Sequence, residues 1–317
     1  LNLQTHKILA TYSGPAAPLP SLGLSPSAST VFAGCWDKSI WSWSVSNQGS
    51  IPGKRFQGHA DFVKAVVVVL LNGKQVLVSG SADASIIVWD VETGKRLHTL
   101  KGHTRGILAL AVDPLEEDKD GVIVWSAGSD REIRRWRIGL ESAKEIPSTE
   151  DLPSPLIAHE TSVDSLLFDS DGDLWTASAD KTVKCLSRSQ NFASDTSLEH
   201  PDFVRDVVVD EEGGWVVTAC RDEEVRVFDK GTGKLHHVFS GHFEEVTGLV
   251  LLPGQKVVSV SIDGTVRQWS LKAADLKKAV QEAEDESLGK EKEEPKKENV
   301  MTAEEEAELA ELMGDSD

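Results

Sequence analysis

Residues 58–90 read GHADFVKAVVVVLLNGKQVLVSGSADASIIVWD, and this stretch decides the fold. Phe62–Leu71, Val76–Ser81 and Ser85–Asp90 are short runs rich in valine, isoleucine and leucine, broken by Asn72-Gly73 and by the turn at Asp83. Apolar runs of this length between Gly/Asn/Asp turns predict strands rather than helices. Lys95–Lys101 supplies a fourth before the next Gly-His. The unit is therefore predicted to be a four-stranded antiparallel meander. Its short turn at Asp83 suits a carboxylate that bonds its own backbone.

The pattern recurs. Asp37, Asp83, Asp130, Asp180, Asp222 and Asp263 stand 46, 47, 50, 42 and 41 residues apart. Six positions after each comes a large side chain: Trp43, Trp89, Trp136, Leu186, Phe228 and Trp269. Four positions before each stands a hydroxyl residue (Ser79, Ser126, Thr176, Thr218, Ser259), except in the first unit, which has Ala33. His59, His103, His159, His200 and His242 precede the last five aspartates by 21 to 27 residues. Four registered columns at this period mark one supersecondary unit repeated around a common core.

Gly-His at 58–59, 102–103 and 241–242, with Trp-Asp at 89–90, resembles the WD-repeat β-propeller family over roughly residues 1 to 271. Ala158-His159, Glu199-His200 and Phe228-Asp229 are degenerate but in register. The resemblance implies an all-β fold of four-stranded blades around a central channel, six of them visible. It also implies a binding platform rather than a catalyst, with no cofactor. Leu1–Gly14 aligns without gaps with Trp89–Gly102, so Lys7–Ser13 is expected to be a fourth strand. It either closes a six-bladed ring on the strand at Thr265–Ser270 or belongs to a seventh blade upstream.

Ser79, His59 and Asp83 also have the composition of a hydrolytic triad. The trio recurs at Ser126/His103/Asp130, Thr176/His159/Asp180, Thr218/His200/Asp222 and Ser259/His242/Asp263. An enzyme needs one exposed nucleophile beside an oxyanion hole, not five equivalents. The resemblance implies a buried hydrogen-bond network instead, completed by Trp89, Trp136 and Trp269 and weakened where Leu186 and Phe228 replace the indole. No catalytic residue is assigned. Asp169–Asp173 (DSDGD) fails as a calcium loop, because its glycine stands at position four rather than six. It reads as a hairpin turn, and no metal site is assigned. With Glu116–Asp120, Asp210–Glu212, Glu141, Glu145, Glu150 and Asp151 it makes one rim acidic.

The opposite face is built from the turns before each first strand and the turns at the aspartates. Trp36, Phe62, Lys64, Leu108, Asp164, Phe203, Arg205 and Arg221 map there as partner-binding candidates. HADFVKAV (59–66) and HPDFVRDV (200–207) are near duplicates, each with an aromatic followed by a cation. Aromatics and arginine are the types enriched in binding hot spots. The family resemblance also makes this the usual partner surface. No Trp-Asp-x-Arg follows a third strand, which removes the pattern by which many members dock to a cullin-ligase adaptor.

The chain beyond the propeller (1–271) divides into an amphipathic helix at 272–288, a charged linker at 289–300 and an acidic helical tail at 301–317. Leu276, Val280 and Ala283 give the first helix its apolar side. Thr302-Ala-Glu-Glu305 is a capping box for the second, whose Leu309, Leu312 and Met313 form a candidate groove-binding motif.

The 317 residues carry a net charge of -19, with 39% hydrophobic and 27% charged residues, enough apolar content to fill a core. Residues 271–317 hold sixteen acidic and seven basic residues. Such a balance argues against direct nucleic-acid binding, which relies on Lys and Arg at phosphates. Cys35, Cys185 and Cys220 have no metal-ligand spacing, which favours a reducing intracellular compartment, cytoplasm or nucleus. The longest apolar run, Phe62–Leu71, contains Lys64 and is too short to span a bilayer. Leu1 is not an initiator methionine, which leaves open whether a segment with its own targeting signal precedes it. The reading is a non-enzymatic scaffold in an intracellular multiprotein complex, binding other proteins through the aspartate-turn face and the C-terminal helix. It has no small-molecule substrate and no membrane insertion. The alternative is an acidic escort for a basic client such as a ribosomal protein or histone.

Overall fold

The computed structural model describes residue 5 and residues 7–46, 53–118 and 121–287. Leu1–Lys272 form one compact unit and Ala273–Asp317 another. The first is a six-bladed β-propeller. Its blades are β1 (Ser21–Leu24), β2 (Thr30–Gly34), β3 (Ser39–Ser44) and β4 (Arg55–Gln57); β5 (Val63–Leu71), β6 (Lys74–Ser81), β7 (Ser85–Asp90) and β8 (Arg96–Lys101); β9 (Ile107–Asp118), β10 (Gly121–Gly128), β11 (Ile133–Ile138) and β12 (Ala143–Glu145); β13 (Val163–Phe168), β14 (Leu174–Ser178), β15 (Thr182–Ser187) and β16 (Ala193–Glu199); β17 (Val204–Asp210), β18 (Trp215–Cys220), β19 (Val225–Asp229) and β20 (Leu235–Phe239); and β21 (Val246–Leu252), β22 (Lys256–Ser261) and β23 (Val266–Ser270). Each blade is an antiparallel meander in chain order, and among the described residues the sixth has three strands. In the second unit, helix α1 spans Ala273–Ser287. The linker at 289–300 and the tail at 301–317, with Leu309, Leu312 and Met313, lie outside the described residues.

Every interior sheet is pressed between two neighbours, so its strands are apolar on both faces instead of alternating. Ile86, Ile87, Val88 and Trp89 of β7 are all buried. Phe32, Ile40 and Phe56 of the first blade interdigitate with Val66, Leu77 and Ile87 of the second. On its other side the second blade packs Val78, Ile86 and Val88 against Ile107, Leu110 and Val124 of the third. The approach is close enough that a Cβ on Gly80 would stand 2.6 Å from Ile107 Cγ2. Polar bridges join later blades: the Asp206 carboxylate accepts from Ser165 Oγ of the fourth at 2.7 Å and from Leu249 N of the sixth at 2.8 Å.

The aspartate turns share one geometry. Lys38, Ala84, Arg131, Lys181, Glu223 and Gly264, each directly after its aspartate, have φ between 63° and 78°. Five of these are not glycine, so the left-handed backbone is stabilised locally. The aspartate does this by accepting the N–H two residues on, as with Ser39 (3.0 Å), Ser85 (2.9 Å), Thr182 (3.0 Å) and Thr265 (2.7 Å).

The expected strand at Lys7–Ser13 is not formed, and no pairing joins this segment to β23 among the described residues. The segment instead lies on the first blade. The Ser13 carbonyl accepts the Trp43 indole N–H at 3.0 Å, and Tyr12 meets Trp43 edge-on at 5.9 Å. Phe56 covers Trp89 in the same way, so the side-chain contact survives without the ladder. The first and last blades also differ from the rest in burial. Val266 is 49% exposed, whereas its counterparts Ile40, Ile86, Ile133, Val183 and Val225 are at most 1% exposed. Leu22 is 68% exposed, whereas the matching Val66, Leu110, Leu166, Val207 and Leu249 are buried.

Truncating an interior position should therefore cost far more than truncating its terminal-blade equivalent. Ile86→Ala is expected to lose about 2–5 kcal/mol of unfolding free energy and Val266→Ala less than about 1 kcal/mol, measured by urea titration of this chain. Equal losses would refute the weaker support of the sixth blade.

Candidate functional site

The repeated His/hydroxyl/Asp sets come together inside the blades. In the second blade the His59 ring bonds Asp83 at 3.0 Å through Nδ1 and Ser79 Oγ at 2.8 Å through Nε2, and the Trp89 indole donates to the same Oγ at 2.9 Å. The third blade repeats this with His103, Asp130, Ser126 and Trp136. The sixth does so with His242, Asp263, Ser259 and Trp269. In the fourth, His159 bonds Asp180 and Thr176 at 2.9 and 2.7 Å, with Leu186 standing where these three blades have the indole. One proton arrangement satisfies the full sets: indole to hydroxyl, hydroxyl to imidazole, imidazole to carboxylate. Ser79, Ser126, Thr176, Thr218 and Ser259 are completely buried, which denies a substrate carbonyl any approach to these oxygens. His103, Asp130 and Glu132 lie close enough to share a cation, but both ring nitrogens of His103 are already engaged.

The fifth blade breaks the pattern. Asp222 is gripped by both terminal nitrogens of Arg226, at 2.9 and 2.6 Å, and His200 Nδ1 donates to the Leu198 carbonyl instead. The charge-assisted fork takes the place of the imidazole here, whereas Arg134, at the same spacing from Asp130, is held by Glu132 and Glu145 and leaves that carboxylate to His103. Thr218 still bonds His200, at 2.8 Å. The first blade, which has no such histidine, gives Asp37 to the Trp41 indole and to Arg55. The Asp169 turn is a satisfied hairpin: its carboxylate takes the N–H groups of Asp171 and Asp173 and the Trp175 indole.

Trp36, Lys64, Leu108, Asp164 and Arg205 line the central channel, a cavity of about 800 Å³. Around its mouth stand two aromatic–cation groups. Trp36, 40% exposed, stacks on Phe62 at 4.9 Å with 8° between the rings, and Lys64 Nζ stands 5.1 Å from the indole. In the fifth blade, Arg221 and Arg205 lie 5.2 and 6.0 Å from the Phe203 ring. Arg221 is exposed; Arg205 is not free. It bonds Asp164 at 3.1 Å and Glu245, tying the fourth, fifth and sixth blades together. Burial pushes the Asp164 carboxyl up in spite of Arg205. Two candidates for a partner thus hold each other, and Glu245, which completes their cluster, is a residue the repeat columns had not singled out.

The acidic rim is partly neutralised from within. Arg188 of the fourth blade pairs with Asp113 and Glu116 of the third. Lys230 of the fifth pairs with Asp169 and Asp171 of the fourth and with Glu211. Glu145 pairs with Arg134. Among the described residues no helix is long and apolar enough to cross a membrane.

The family described as "WD domain, G-beta repeat" matches residues 6–44, 50–90, 94–137, 152–186, 194–229 and 233–270. The chain is similar to an uncharacterized WD repeat-containing protein of Schizosaccharomyces pombe, 37% identical over 99% of this chain and 81% of that protein. It is 28% identical to WD repeat-containing protein 37 of Homo sapiens over 69% of this chain and 41% of that one. It is equally identical to nuclear distribution protein nudF of Aspergillus niger, over 62% and 42%. The chain covers less than half the length of these last two.

Burial, reinforced by the nearby Arg226 charge, pushes His200 down to about 4 from its usual 6.5. The imidazole is thus neutral in the fold while the unfolded chain takes up a proton below pH 6.5. Its contribution to stability is complete above pH 6.5 and drains away as pH falls towards 4. His200→Gln should flatten the pH dependence of the urea midpoint across that window, and an unchanged slope would refute the assignment.

Proposed function

The chain belongs to the WD-repeat family, and from that premise we propose that it is a non-enzymatic scaffold, a WD-repeat subunit of an intracellular multiprotein complex in the cytoplasm or nucleus. Propellers of this family generally bind other proteins. The observation that carries the reading is the Trp36–Phe62 stack under Lys64 at the channel mouth. A large aromatic held flat by a second ring, with a cation beside it, is preorganised contact area that loses little entropy on binding. Phe203 with Arg221 repeats the combination in the fifth blade. Arg205, Asp164 and Leu108 belong to the channel wall behind these anchors. The buried, fully used hydroxyls of the repeats support the non-enzymatic part of the proposal.

The acidic-escort alternative has less behind it. Arg188 and Lys230 already occupy much of the rim's negative charge. A client held by charge would leave as salt rises, whereas one anchored on Trp36 and Phe203 would stay. The tail motif Leu309, Leu312 and Met313 is proposed as a second anchor, one that folds into a partner's groove.

Trp36→Ala and Arg221→Ala should each weaken a partner's binding by about ten-fold or more, while unfolding midpoints stay within the scatter of surface substitutions. Quantitative comparison of complexes purified at low and high salt would read this. Retention of every subunit by both variants would remove the face from consideration. Leu309→Glu with Leu312→Glu should release a different subunit and leave propeller unfolding unaltered.

A further inference from the structure

On the same face, between the third and fourth blades, lies a polar notch of about 640 Å³. Arg105 and Arg131 line it, together with Ser129, Asp130, Glu160 and Thr161. Both arginines are exposed, and among the described residues neither makes an ion pair or a side-chain hydrogen bond. That is unlike Arg55, Arg134, Arg188, Arg205 and Arg226, each of which is held by a carboxylate. Carboxylates are not scarce, since acidic residues outnumber basic ones 52 to 33. Asp130, which shares the notch, is already spent on His103, Thr104 N and Glu132 N. Arg131 is also fixed at its root, with φ of 63° and its N–H bonded to the Gly128 carbonyl.

We propose that this notch binds a phosphorylated serine or threonine on a partner polypeptide. Two guanidinium forks offer paired N–H donors matched to phosphate oxygens, and the hydroxyls of Ser129 and Thr161 supply further donors. A phosphate is favoured over a carboxylate because its three acceptor oxygens can engage both forks and a hydroxyl together, where the two oxygens of a carboxylate are used up by one fork. Glu160, exposed and without a side-chain partner among the described residues, opposes an anion alone. It sets the second half of the specificity: a basic residue beside the phosphorylated one. The proposal rests on the reading of this face as a partner surface, but on residues separate from the Trp36 and Phe203 anchors.

The test is selection from a degenerate library of short peptides with fixed phosphoserine or phosphothreonine, against unphosphorylated and glutamate-substituted libraries. The chain should enrich phosphorylated peptides about ten-fold or more, with a flanking Lys or Arg. Arg105→Gln combined with Arg131→Gly should abolish the enrichment. Glycine tolerates the left-handed turn, so this variant keeps its unfolding midpoint. Glu160→Gln should keep the phosphate preference and lose the basic flank. No enrichment, or enrichment that survives the double variant, overturns the proposal. Trp36→Ala separates the two ideas: loss of complex subunits in that variant, without any phosphopeptide selection by the parent chain, leaves the scaffold standing and the phosphate site refuted.

Discussion

Each blade depends on one carboxylate. Asp83 takes the His59 imidazole, the N–H of Ala60, and both the N–H and hydroxyl of Ser85. Burial alone would raise its carboxyl, but these donors outweigh that and hold it well below the usual range. One side chain thereby fixes the segment entering the blade, the turn between its second and third strands, and the orientation of the ring that reaches Ser79. The turn in turn sets the residues on either side of the aspartate. Trp36 and Arg221 stand before theirs, and Arg131 after its own, so the exposed groups of the channel-mouth face are rooted in the same bonds that hold the strands. Stability and the face proposed for partners share a foundation here, and a change at an aspartate would alter both.

The columns of aspartate, histidine, hydroxyl and aromatic were readable because each acts within one blade, at separations the chain repeats. The strands followed from the same period. What escaped the reading acts between blades. Arg205 meets Asp164 and Glu245 at separations of 41 and 40 residues, close to one repeat. Asp206 reaches Ser165 and Leu249 across the same span. Columns show which positions are equivalent, not which charged neighbours will satisfy each other once sheets are stacked. The capture of Asp222 by Arg226 was hidden for a different reason. Thr218, His200 and Asp222 are all in register, and Arg134 and Arg267 stand at the same spacing from Asp130 and Asp263 without displacing the imidazole, so no column marks the blade in which the carboxylate is diverted. Lys7–Ser13 matched a strand in sequence, but a strand also needs an edge to pair with, and its neighbour here is an indole.

The net charge of -19 likewise overstates how negative the rim is. Lys230 sits among Asp169, Asp171 and Glu211, and Glu211 and Asp169 push its ammonium well above the ordinary lysine range despite partial burial. Arg188 plays the same part for Asp113. These cations cross from blade to blade, so part of the acidic surplus works as mortar between neighbouring sheets rather than as a field directed outwards. The aromatic–cation groups of the opposite face are the more distinctive feature of the surface.

The uncovered faces of the first and last blades bear on how the molecule moves. In a stacked array each sheet is stabilised by the neighbours it touches, so a sheet supported on one side has a lower threshold for opening. Leu22 on one side and Val266 on the other mark the two places where that support is halved. Amide protons in β21, β22 and β23 would then exchange with solvent through small local excursions, while those of β6 and β10 wait for the whole fold to open. The channel beside Trp36 is accordingly bounded by walls of unequal stiffness: a firm arc through the second to fifth blades, and a compliant one where the sixth and first begin.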